Sequence, residues 1–477
     1  MTADAGVGQP HEHRDAVGRS FLALGTGEVI GRLLAFAAVV HVSRTVGPEA
    51  WGVVAVAAAV TLYLSKIVDF GIETVGPNEV VATPGEVGPL VSSLVAARLL
   101  IASLLIVVGS GLVLLFLKDP DRISFLAYIL TLLPLAASTR WAYLGLHDAG
   151  PVALWRILGE SVVLVIVLLA VHQAADAWKL PGAILIGDVL TVTALGTLLV
   201  KRGYRFQLRV DWTTARRVML RARPVVLHIV LGLALYNSDL LFLRALRSSE
   251  DVGIYAAAYT LISFAGNLGV AYGMSVMPSL ATLPRGGPQQ RALYHTAVLQ
   301  SAAIAVPTFV GGAFVARDVM LLVFGGQYAE GGVVLQILLL SIPFFTARLI
   351  VFFALVVHAG QQSLVYAIVY ALLANIVLNI VLITALGTVG AAWATVTTEA
   401  LFCALLARFG RTAGLRFPPL KRFWQPVIAC FVMGIALVAT TEQHPLVRVA
   451  LGGAVYAVAL LVLGALVFRK GVPSLNL

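Results

Sequence analysis

Long apolar runs recur along the whole chain, and they constrain its fold more than any other feature. Each run has roughly 20 residues, the length that a helix needs to cross a bilayer core of about 30 Å. We count about fourteen such runs, centred near residues 32, 60, 103, 134, 163, 190, 235, 265, 304, 345, 373, 398, 432 and 458. A transmembrane β-barrel is excluded, because its strands are alternating segments of about ten residues. The sequence therefore predicts an all-α integral membrane protein.

Composition agrees with this class and leaves little room for a bound metal or cofactor. Hydrophobic residues make up 60% of the 477 residues and charged residues only 12%, well outside the usage of soluble domains. Cys403 and Cys430 fall inside predicted helices, and His228, His295 and His358 lack the spacing of metal ligands. No P-loop motif occurs, and we predict no cofactor, no metal and no cleaved signal peptide.

The net charge of +10 indicates membrane topology rather than nucleic-acid binding. The segment 201–223, "KRGYRFQLRVDWTTARRVMLRAR", carries eight basic residues and is the longest polar connection. With the N-terminus cytoplasmic, about 20 basic residues lie on the cytoplasmic side, Arg156 in the fourth loop among them, against about eight outside. Both termini are therefore predicted to be cytoplasmic, and segment 201–223 is predicted to lie on anionic lipid.

A repeat flanks that basic segment. "VSRTVGPEAWGVVAVAAA" and "LRALRSSEDVGIYAAAY" each place an Arg at a helix end (Arg44, Arg244), then a short acidic loop and an Ala-rich helix start. The sequence predicts about 14 transmembrane helices in two pseudo-symmetric six-helix lobes plus two C-terminal helices. The predicted parts are an N-terminal tail (1–20), an N-lobe (21–200), a basic linker (201–223), a C-lobe (224–410), a basic loop (411–423), helices 13 and 14 (424–469) and a C-terminal tail (470–477).

Five segments, taken in order, resemble one known family. They are "SRTVGPEAWGVVAVA", "DFGIETVGPNEVVA", "LYNSDLLFLRALRSSEDVGIYAAAY", "LLVFGGQYAEGGVVLQILLLSIPFF" and "GTVGAAWATVTTEALF", and the resemblance covers about residues 20 to 410. They resemble the bacterial oligosaccharide or polysaccharide flippases (Wzx-like) of the multidrug/oligosaccharidyl-lipid/polysaccharide exporter superfamily. The resemblance implies a two-lobed, alternating-access transporter of undecaprenyl-pyrophosphate-linked sugars, located in the bacterial cytoplasmic membrane.

Charged residues inside the apolar runs are the candidate site residues. Each costs about 2.5 to 3.5 kcal/mol at the bilayer centre, so such side chains normally face a cavity or a partner. A cationic lumen would suit a pyrophosphate, because Arg holds phosphate oxygens through paired donors. The candidates for substrate binding in the lumen are Arg32, Arg140, Arg348, Asn237 and Asp239. The candidates for ion coupling are Glu28, Asp188 and Glu399.

Each candidate also has a structural interpretation. Glu28 and Arg32 lie one turn apart, and either form a neutral packing pair or face the lumen. Arg140 is either a lumen residue or an interfacial anchor, and Arg348 is surrounded by apolar sequence that favours the lumen. The cluster of Asn237, Ser238 and Asp239 fits lumen contact and structural hydrogen bonding equally.

Several further polar residues favour structural roles. Lys66 with Asp69 and Arg98 are interpreted as solvated or snorkelling helix ends. Asn375 and Asn379 are interpreted as contacts between helices. The glycines of "GTGEVIG" are interpreted as helix packing rather than as a dinucleotide loop, because no strand precedes them.

Three functions remain open on the sequence. The first is the flippase for lipid-linked oligosaccharide, which serves surface polysaccharide synthesis (lipopolysaccharide, capsule or exopolysaccharide) with a polysaccharide polymerase and a chain-length regulator as partners. The second is a sister transporter that exports cationic drugs or flips a peptidoglycan precursor. The third, a membrane glycan polymerase or glycosyltransferase, is disfavoured because the predicted outer loops are too short for an acid and base pair. The chain is therefore expected to be no enzyme.

Overall fold

A computed structural model describes residues 10–207, 210–358, 361–469 and 472–475. The predictions for residues 1–9, for Arg209 and for the tail positions 470, 471, 476 and 477 lie outside these described residues. Helices dominate the described chain, and the two short strands form one antiparallel pair near its end.

The helices of the first half are mostly long and apolar. Their bounds are α1 Pro10–Asp69, α2 Ile72–Ala82, α3 Val87–Phe116, α4 Asp121–Leu130, α5 Leu132–Ala137, α6 Arg140–Gly145, α7 Ala149–Ala170, α8 Lys179–Lys201 and α9 Trp212–Leu246. Short 3-10 turns at Pro84–Glu86 and Ala174–Asp176 precede α3 and α8.

The second half continues in the same manner. Its helices are α10 Ser249–Ala281, α11 Pro288–Phe324, α12 Gly331–Leu339, α13 Ser341–His358, α14 Gln361–Leu386, α15 Thr388–Thr412, α16 Trp424–Ala439 and α17 Pro445–Val462. The 3-10 turns are Gly326–Tyr328 and Leu420–Phe423, and the strands are β1 Leu466–Arg469 and β2 Val472–Leu475.

Thirteen helical stretches among the described residues are long and apolar enough to cross a membrane. The first, Leu24–Ala82, has 59 residues and would be about 90 Å long if it were straight. It bends at Gly47, whose φ of 80° and ψ of 169° are not helical and which precedes Pro48. This stretch holds two of the predicted runs and each other stretch holds one, so the fold prediction is confirmed.

Apolar side chains cover the outer faces of these helices. Leu104 is 62% exposed, Leu115 78% and Leu169 74%. Aliphatic side chains so exposed at the middle and end of long apolar helices contact lipid rather than water. The chain is therefore a multi-pass membrane protein.

The described chain divides into two compact units, Met1–Val230 and Leu231–Leu477. In the first unit, Leu94, Trp141 and Leu199 belong to one core cluster. In the second unit, Tyr294 and Phe402 belong to another cluster, while α16 and α17 pack on α11 through a separate one. The finer predicted boundaries of the lobes, linker and loops stay predictions.

The first part of the predicted linker is held against α3. The backbone N–H of Gln207 donates to Ser92 Oγ at 2.8 Å, and that of Asp211 donates to Ser93 Oγ at 3.0 Å. A side chain at Gly88 would collide with the Arg205 carbonyl, since its Cβ would lie 2.6 Å from that oxygen. From Trp212 onward the linker is helical and continues as α9.

Candidate functional site

Glu28 and Arg32 form the ion pair that their spacing predicts. Arg32 Nε donates to Glu28 Oε1 at 2.9 Å, on adjacent turns of α1. The Arg32 side chain is 41% exposed and the Glu28 side chain 28%. The pair is therefore neither buried in the core nor fully solvated.

Two further arginines from other helices approach the same carboxylate. Arg140 Nη2 lies 3.8 Å and Arg156 Nε lies 3.5 Å from Glu28 Oε2. Their side chains are 35% and 31% exposed. Arg140 begins α6, directly after the break that follows α5, and Arg156 lies in the second turn of α7. Three guanidinium groups thus surround one carboxylate within the membrane-spanning part of the first unit.

Glycines on α1 allow this approach. An added Cβ at Gly27 would lie 2.6 Å from Ala153 Cβ, and one at Gly31 would lie 2.9 Å from Arg156 Nε. Gly25 has open space around it. The packing role predicted for the "GTGEVIG" glycines is confirmed for Gly27 and Gly31, which let α7 place Arg156 beside Glu28.

Further acidic residues lie near the three arginines, and one of them, Glu73, is within electrostatic range of Arg140. Glu160 Oε1 lies 3.6 Å from Arg156 Nη2, so Arg156 is shared between Glu28 and Glu160. Asp188 is exposed and lies within electrostatic range of Glu160 and Arg156. We define the arginine cluster as Arg32, Arg140 and Arg156 around Glu28.

Some polar side-chain atoms of the arginine cluster have no hydrogen-bond partner in the part of the chain that the structure describes. Glu28 Oε2, Arg140 Nε and Arg156 Nε are buried atoms without a hydrogen-bond partner among the described residues. The three guanidinium groups are 31–41% exposed, so their remaining donors are accessible to an anion with several oxygen acceptors. The arrangement can therefore bind a phosphate-containing group.

Sequence interpretation missed Arg156 and was wrong about its place. The count of basic residues places Arg156 in the fourth loop, whereas it lies within α7 and its side chain contacts α1. The helical position of Arg156 leaves one fewer basic residue in the predicted cytoplasmic loops. The four-residue spacing of Arg156 and Glu160, the same as that of Glu28 and Arg32, is the sequence signal that would have found it.

Arg98 and Asp69 are not solvated helix ends, so that interpretation was wrong. Arg98 is 0% exposed and its Nη2 lies 3.6 Å from Asp69 Oδ1. Its two terminal nitrogens donate to the carbonyls of Leu135 at 2.7 Å and Ser138 at 3.1 Å. These carbonyls lie at the C-terminal end of α5, where the regular helical hydrogen bonds stop before α6 begins. Arg98 thereby holds the turn from which Arg140 emerges.

We expect Arg98→Gln to destabilise the first unit by about 3–5 kcal/mol, because Asp69 and two carbonyls would lose a buried cationic partner. The measurement is the thermal unfolding midpoint of the detergent-solubilised protein. Arg217→Gln is the control, because Arg217 is an exposed arginine of the same unit. An unchanged midpoint for Arg98→Gln would contradict the role of Arg98 at the helix break.

Arg348 and Glu399 form a buried ion pair in the second unit. Arg348 Nε donates to Glu399 Oε2 at 2.9 Å, and the two side chains are 4% and 6% exposed. Arg348 also donates to the Tyr236 hydroxyl. Its guanidinium carbon lies 4.6 Å from the Phe402 ring centroid and 5.0 Å from that of Phe345. The predicted contacts of Arg348 with substrate and of Glu399 with a coupling ion stay predictions.

Asp239 lies in a separate buried network of neutral donors. Tyr255 Oη and Thr395 Oγ1 donate to Asp239 Oδ2 at 2.9 and 2.6 Å, and Asn379 Nδ2 donates to Oδ1 at 2.7 Å. Asp239 is 2% and Asn379 0% exposed. Asn237, the adjacent candidate, is half-buried.

The two asparagines of α14 join three helices, as interpreted. Ser238 Oγ on α9 donates to Asn375 Oδ1 at 2.9 Å, and Asn375 Nδ2 donates to Thr398 Oγ1 on α15 at 3.3 Å.

Over the described residues, no group of three or more His, Cys, Asp or Glu side chains could hold a metal ion.

Comparisons with known proteins identify the family of this chain and proteins that share its fold. A family model described as "Polysaccharide biosynthesis protein" matches residues 17–283, which is more than half of the chain. The chain belongs to this polysaccharide biosynthesis protein family. A search of curated proteins finds no matching relative.

Solved structures of transporters share the fold. The lipid II flippase MurJ, in an inward closed conformation, matches with a TM-score of 0.78 and 14% identity over 93% of this chain and 98% of its own. An inward-facing multidrug resistance MATE transporter of the MOP superfamily matches with a TM-score of 0.63 and 14% identity, over 82% and 97%. A MOP superfamily transporter from Pyrococcus furiosus reaches 0.53 at 17% identity, over 83% and 95%. The fold is therefore that of transporters in this superfamily, as the resemblance implied.

Proposed function

We propose that this protein is a flippase that moves undecaprenyl-pyrophosphate-linked oligosaccharide across the bacterial cytoplasmic membrane by alternating access. The observation that carries the proposal is the arginine cluster, three half-exposed guanidinium groups around one carboxylate inside the membrane-spanning helices. The family match supports work in polysaccharide synthesis. On this proposal the protein transports its substrate and does not react with it.

The chemistry of such a substrate explains why the cluster is cationic. The polyprenyl tail stays in lipid, but the pyrophosphate and sugars cost several kcal/mol per unsatisfied polar group in hydrocarbon. Arg32, Arg140 and Arg156 offer planar, permanently charged donors that match phosphate oxygens. Glu28 holds the three guanidinium groups together when no anion is bound, and it releases donors when the anion arrives.

A peptidoglycan-precursor flippase is the second candidate. The observation that favours it is the likeness to MurJ, whose name states lipid II as its cargo. A lipid-linked precursor with a pyrophosphate would use the same arginine cluster. A cation exporter fits less well, because the three guanidinium groups around Glu28 would repel a cationic substrate there.

For ion coupling, the buried network favours Asp239. Asp239 is 2% exposed, and its hydrogen-bond donors among the described residues are neutral, so its carboxylate needs a proton or a small cation to balance its charge. Glu28, Asp188 and Glu399 remain the sequence-derived candidates, and Glu28 and Glu399 already have arginine partners. We propose that Asp239 joins this set.

We also propose that both termini lie in the cytoplasm and that a polysaccharide polymerase and a chain-length regulator act with the protein. The excess of basic residues in segment 201–223 supports this orientation. A reporter fused after Val210 and one fused at the C-terminus are expected to give cytoplasmic signals. An external signal from either fusion would contradict the orientation.

The decisive experiment is to remove the protein and find the precursor. Loss of a flippase blocks transit without blocking synthesis, so lipid-linked oligosaccharide is expected to accumulate on the cytoplasmic leaflet. Leaflet-specific labelling of the precursor measures this, with lipid II labelled in parallel to test the second candidate. Accumulation of unpolymerised oligosaccharide on the outer leaflet would contradict the flippase and favour a polymerase.

A further inference from the structure

A groove of about 300 Å³ opens on the first unit between α3 and the start of α9. Its floor is apolar and includes Leu100 and Ile101 of α3, and Met219 and Leu220 of α9. Leu100 is 62% exposed although it lies within a membrane-spanning helix. The floor is therefore a surface that hydrocarbon covers.

Two arginines, Arg216 and Arg223, line this groove. They lie seven residues apart on α9, two turns along one helix face. Both are exposed, and no hydrogen bond or ion pair joins either guanidinium to another residue in the described part of the chain. The neighbouring arginines differ, because Arg221 binds Glu79 at 2.9 Å and Arg217 reaches Thr214 Oγ1 at 3.4 Å.

The groove is preformed, because the start of α9 is fixed. Ser92 and Ser93 of α3 accept hydrogen bonds from the backbone of Gln207 and Asp211. Asp211 in turn accepts from the Thr213 hydroxyl at 2.6 Å and from the backbone N–H of Thr214 at 3.2 Å. These hydrogen bonds, the one from Thr213 foremost, hold the pKa of Asp211 below its ordinary value, so it caps the helix as an anion.

We propose that this groove is a binding site for an anionic phospholipid. An acyl chain lies along Leu100 and Ile101, and the phosphate lies between Arg216 and Arg223. Trp212, also a lining residue, is 52% exposed, and tryptophan favours the headgroup level of a bilayer. A free phosphate would need no apolar floor, and a zwitterionic lipid would not need two unpaired arginines. The site does not involve the transported substrate, so the test of lipid binding is independent of the proposed function.

The test measures lipid binding to the purified full-length protein by native mass spectrometry. Phosphatidylglycerol, phosphatidylcholine and undecaprenyl phosphate are titrated separately. Arg216→Gln is expected to weaken phosphatidylglycerol binding about fivefold and the double variant with Arg223→Gln about 30-fold, at about 1 kcal/mol for each arginine. Arg217→Gln, one residue away on another face, is the matched control and is expected to change binding less than twofold.

Fluorescence gives the location. The protein is placed in vesicles of phosphatidylcholine that contain brominated phosphatidylglycerol. The emission of Trp212, obtained by subtracting the spectrum of the Trp212→Phe variant, is expected to be quenched. The quenching is expected to be weaker in the double variant Arg216→Gln with Arg223→Gln. Three results would overturn the proposal: equal losses for Arg217→Gln and Arg216→Gln, equal affinity for phosphatidylcholine, or undecaprenyl phosphate displacing phosphatidylglycerol from Trp212. The first would mean diffuse surface charge, the second a site for tails alone, and the third a site for the substrate lipid.

Discussion

Arg32→Gln and Arg156→Gln proteins will reach the membrane at normal abundance and translocate the lipid-linked precursor at least about tenfold more slowly. Each replacement removes a charged donor from the arginine cluster, and a hydrogen bond to a charged group is worth about 1.5–3 kcal/mol. That range corresponds to roughly 10- to 100-fold in affinity. The side chains are 41% and 31% exposed, so neither replacement breaks a fully buried ion pair. Translocation per inserted molecule is the quantity to measure.

Lysine replacements separate charge from geometry. Arg32→Lys is expected to retain more transport than Arg32→Gln, because the charge survives while the planar pair of donors does not. Arg217→Gln is the control, since that exposed arginine of the same unit lies outside the arginine cluster. Normal translocation by both the Arg32→Gln and Arg156→Gln proteins would rule out the cluster as the anion site.

A glycine pair tests the same site without changing any charge. A Cβ at Gly31 would lie 2.9 Å from Arg156 Nε, so Gly31→Ala is expected to displace that side chain and slow translocation. Gly25→Ala puts the same methyl group into open space on the same helix and is expected to leave transport unchanged. Equal transport by the two alanine variants would mean that the position of Arg156 does not matter.

Glu28→Gln distinguishes the two interpretations that the sequence left open. A purely structural pair predicts lower protein abundance, because three arginines lose their shared carboxylate. A lumen role predicts normal abundance with impaired transport. The partial exposure of Glu28 favours the second outcome.

Sequence patterns were sufficient for the features that depend on short spacings. Runs of about 20 apolar residues predicted the spans, because helix length follows bilayer thickness. The four-residue spacing of Glu28 and Arg32 predicted their contact, because those positions lie on one helix face.

Contacts between residues that are far apart in the sequence could not be predicted from such spacings. Arg140 and Arg156 reach Glu28 across more than 100 residues of sequence, and only the packing of α1 against α7 and the break before α6 bring them together. The same limit applies to Arg98, whose role depends on carbonyls exposed at that break. A lone arginine near a helix end has the same local pattern whether it snorkels to water or binds buried carbonyls. Tertiary packing decides between these two roles, and the spacing of residues near the arginine carries no information about that packing.

Arg348→Met alone will sharply reduce the amount of folded protein in the membrane. Glu399 would be left 5% exposed without its cation, and removing one member of a buried ion pair costs about 3–5 kcal/mol. Three aromatic rings around the guanidinium would also lose a cation–π partner. Glu399→Leu alone is expected to act in the same direction, because it leaves the arginine unpaired. Membrane abundance and the unfolding midpoint in detergent measure both effects.

The double variant Arg348→Met with Glu399→Leu is expected to recover most of the lost abundance, because apolar side chains of similar volume replace a buried pair at little or no net cost. That recovery makes translocation per folded molecule interpretable. If Arg348 meets the substrate during the transport cycle, as its place in an apolar span predicts, the double variant folds but does not restore translocation. Full translocation by the folded double variant would show that the pair is structural and would leave the arginine cluster of the first unit as the anion site. Failure of the double variant to recover abundance would contradict the buried-pair energetics, because the loss would then come from the aromatic contacts of Arg348 rather than from an unpaired charge.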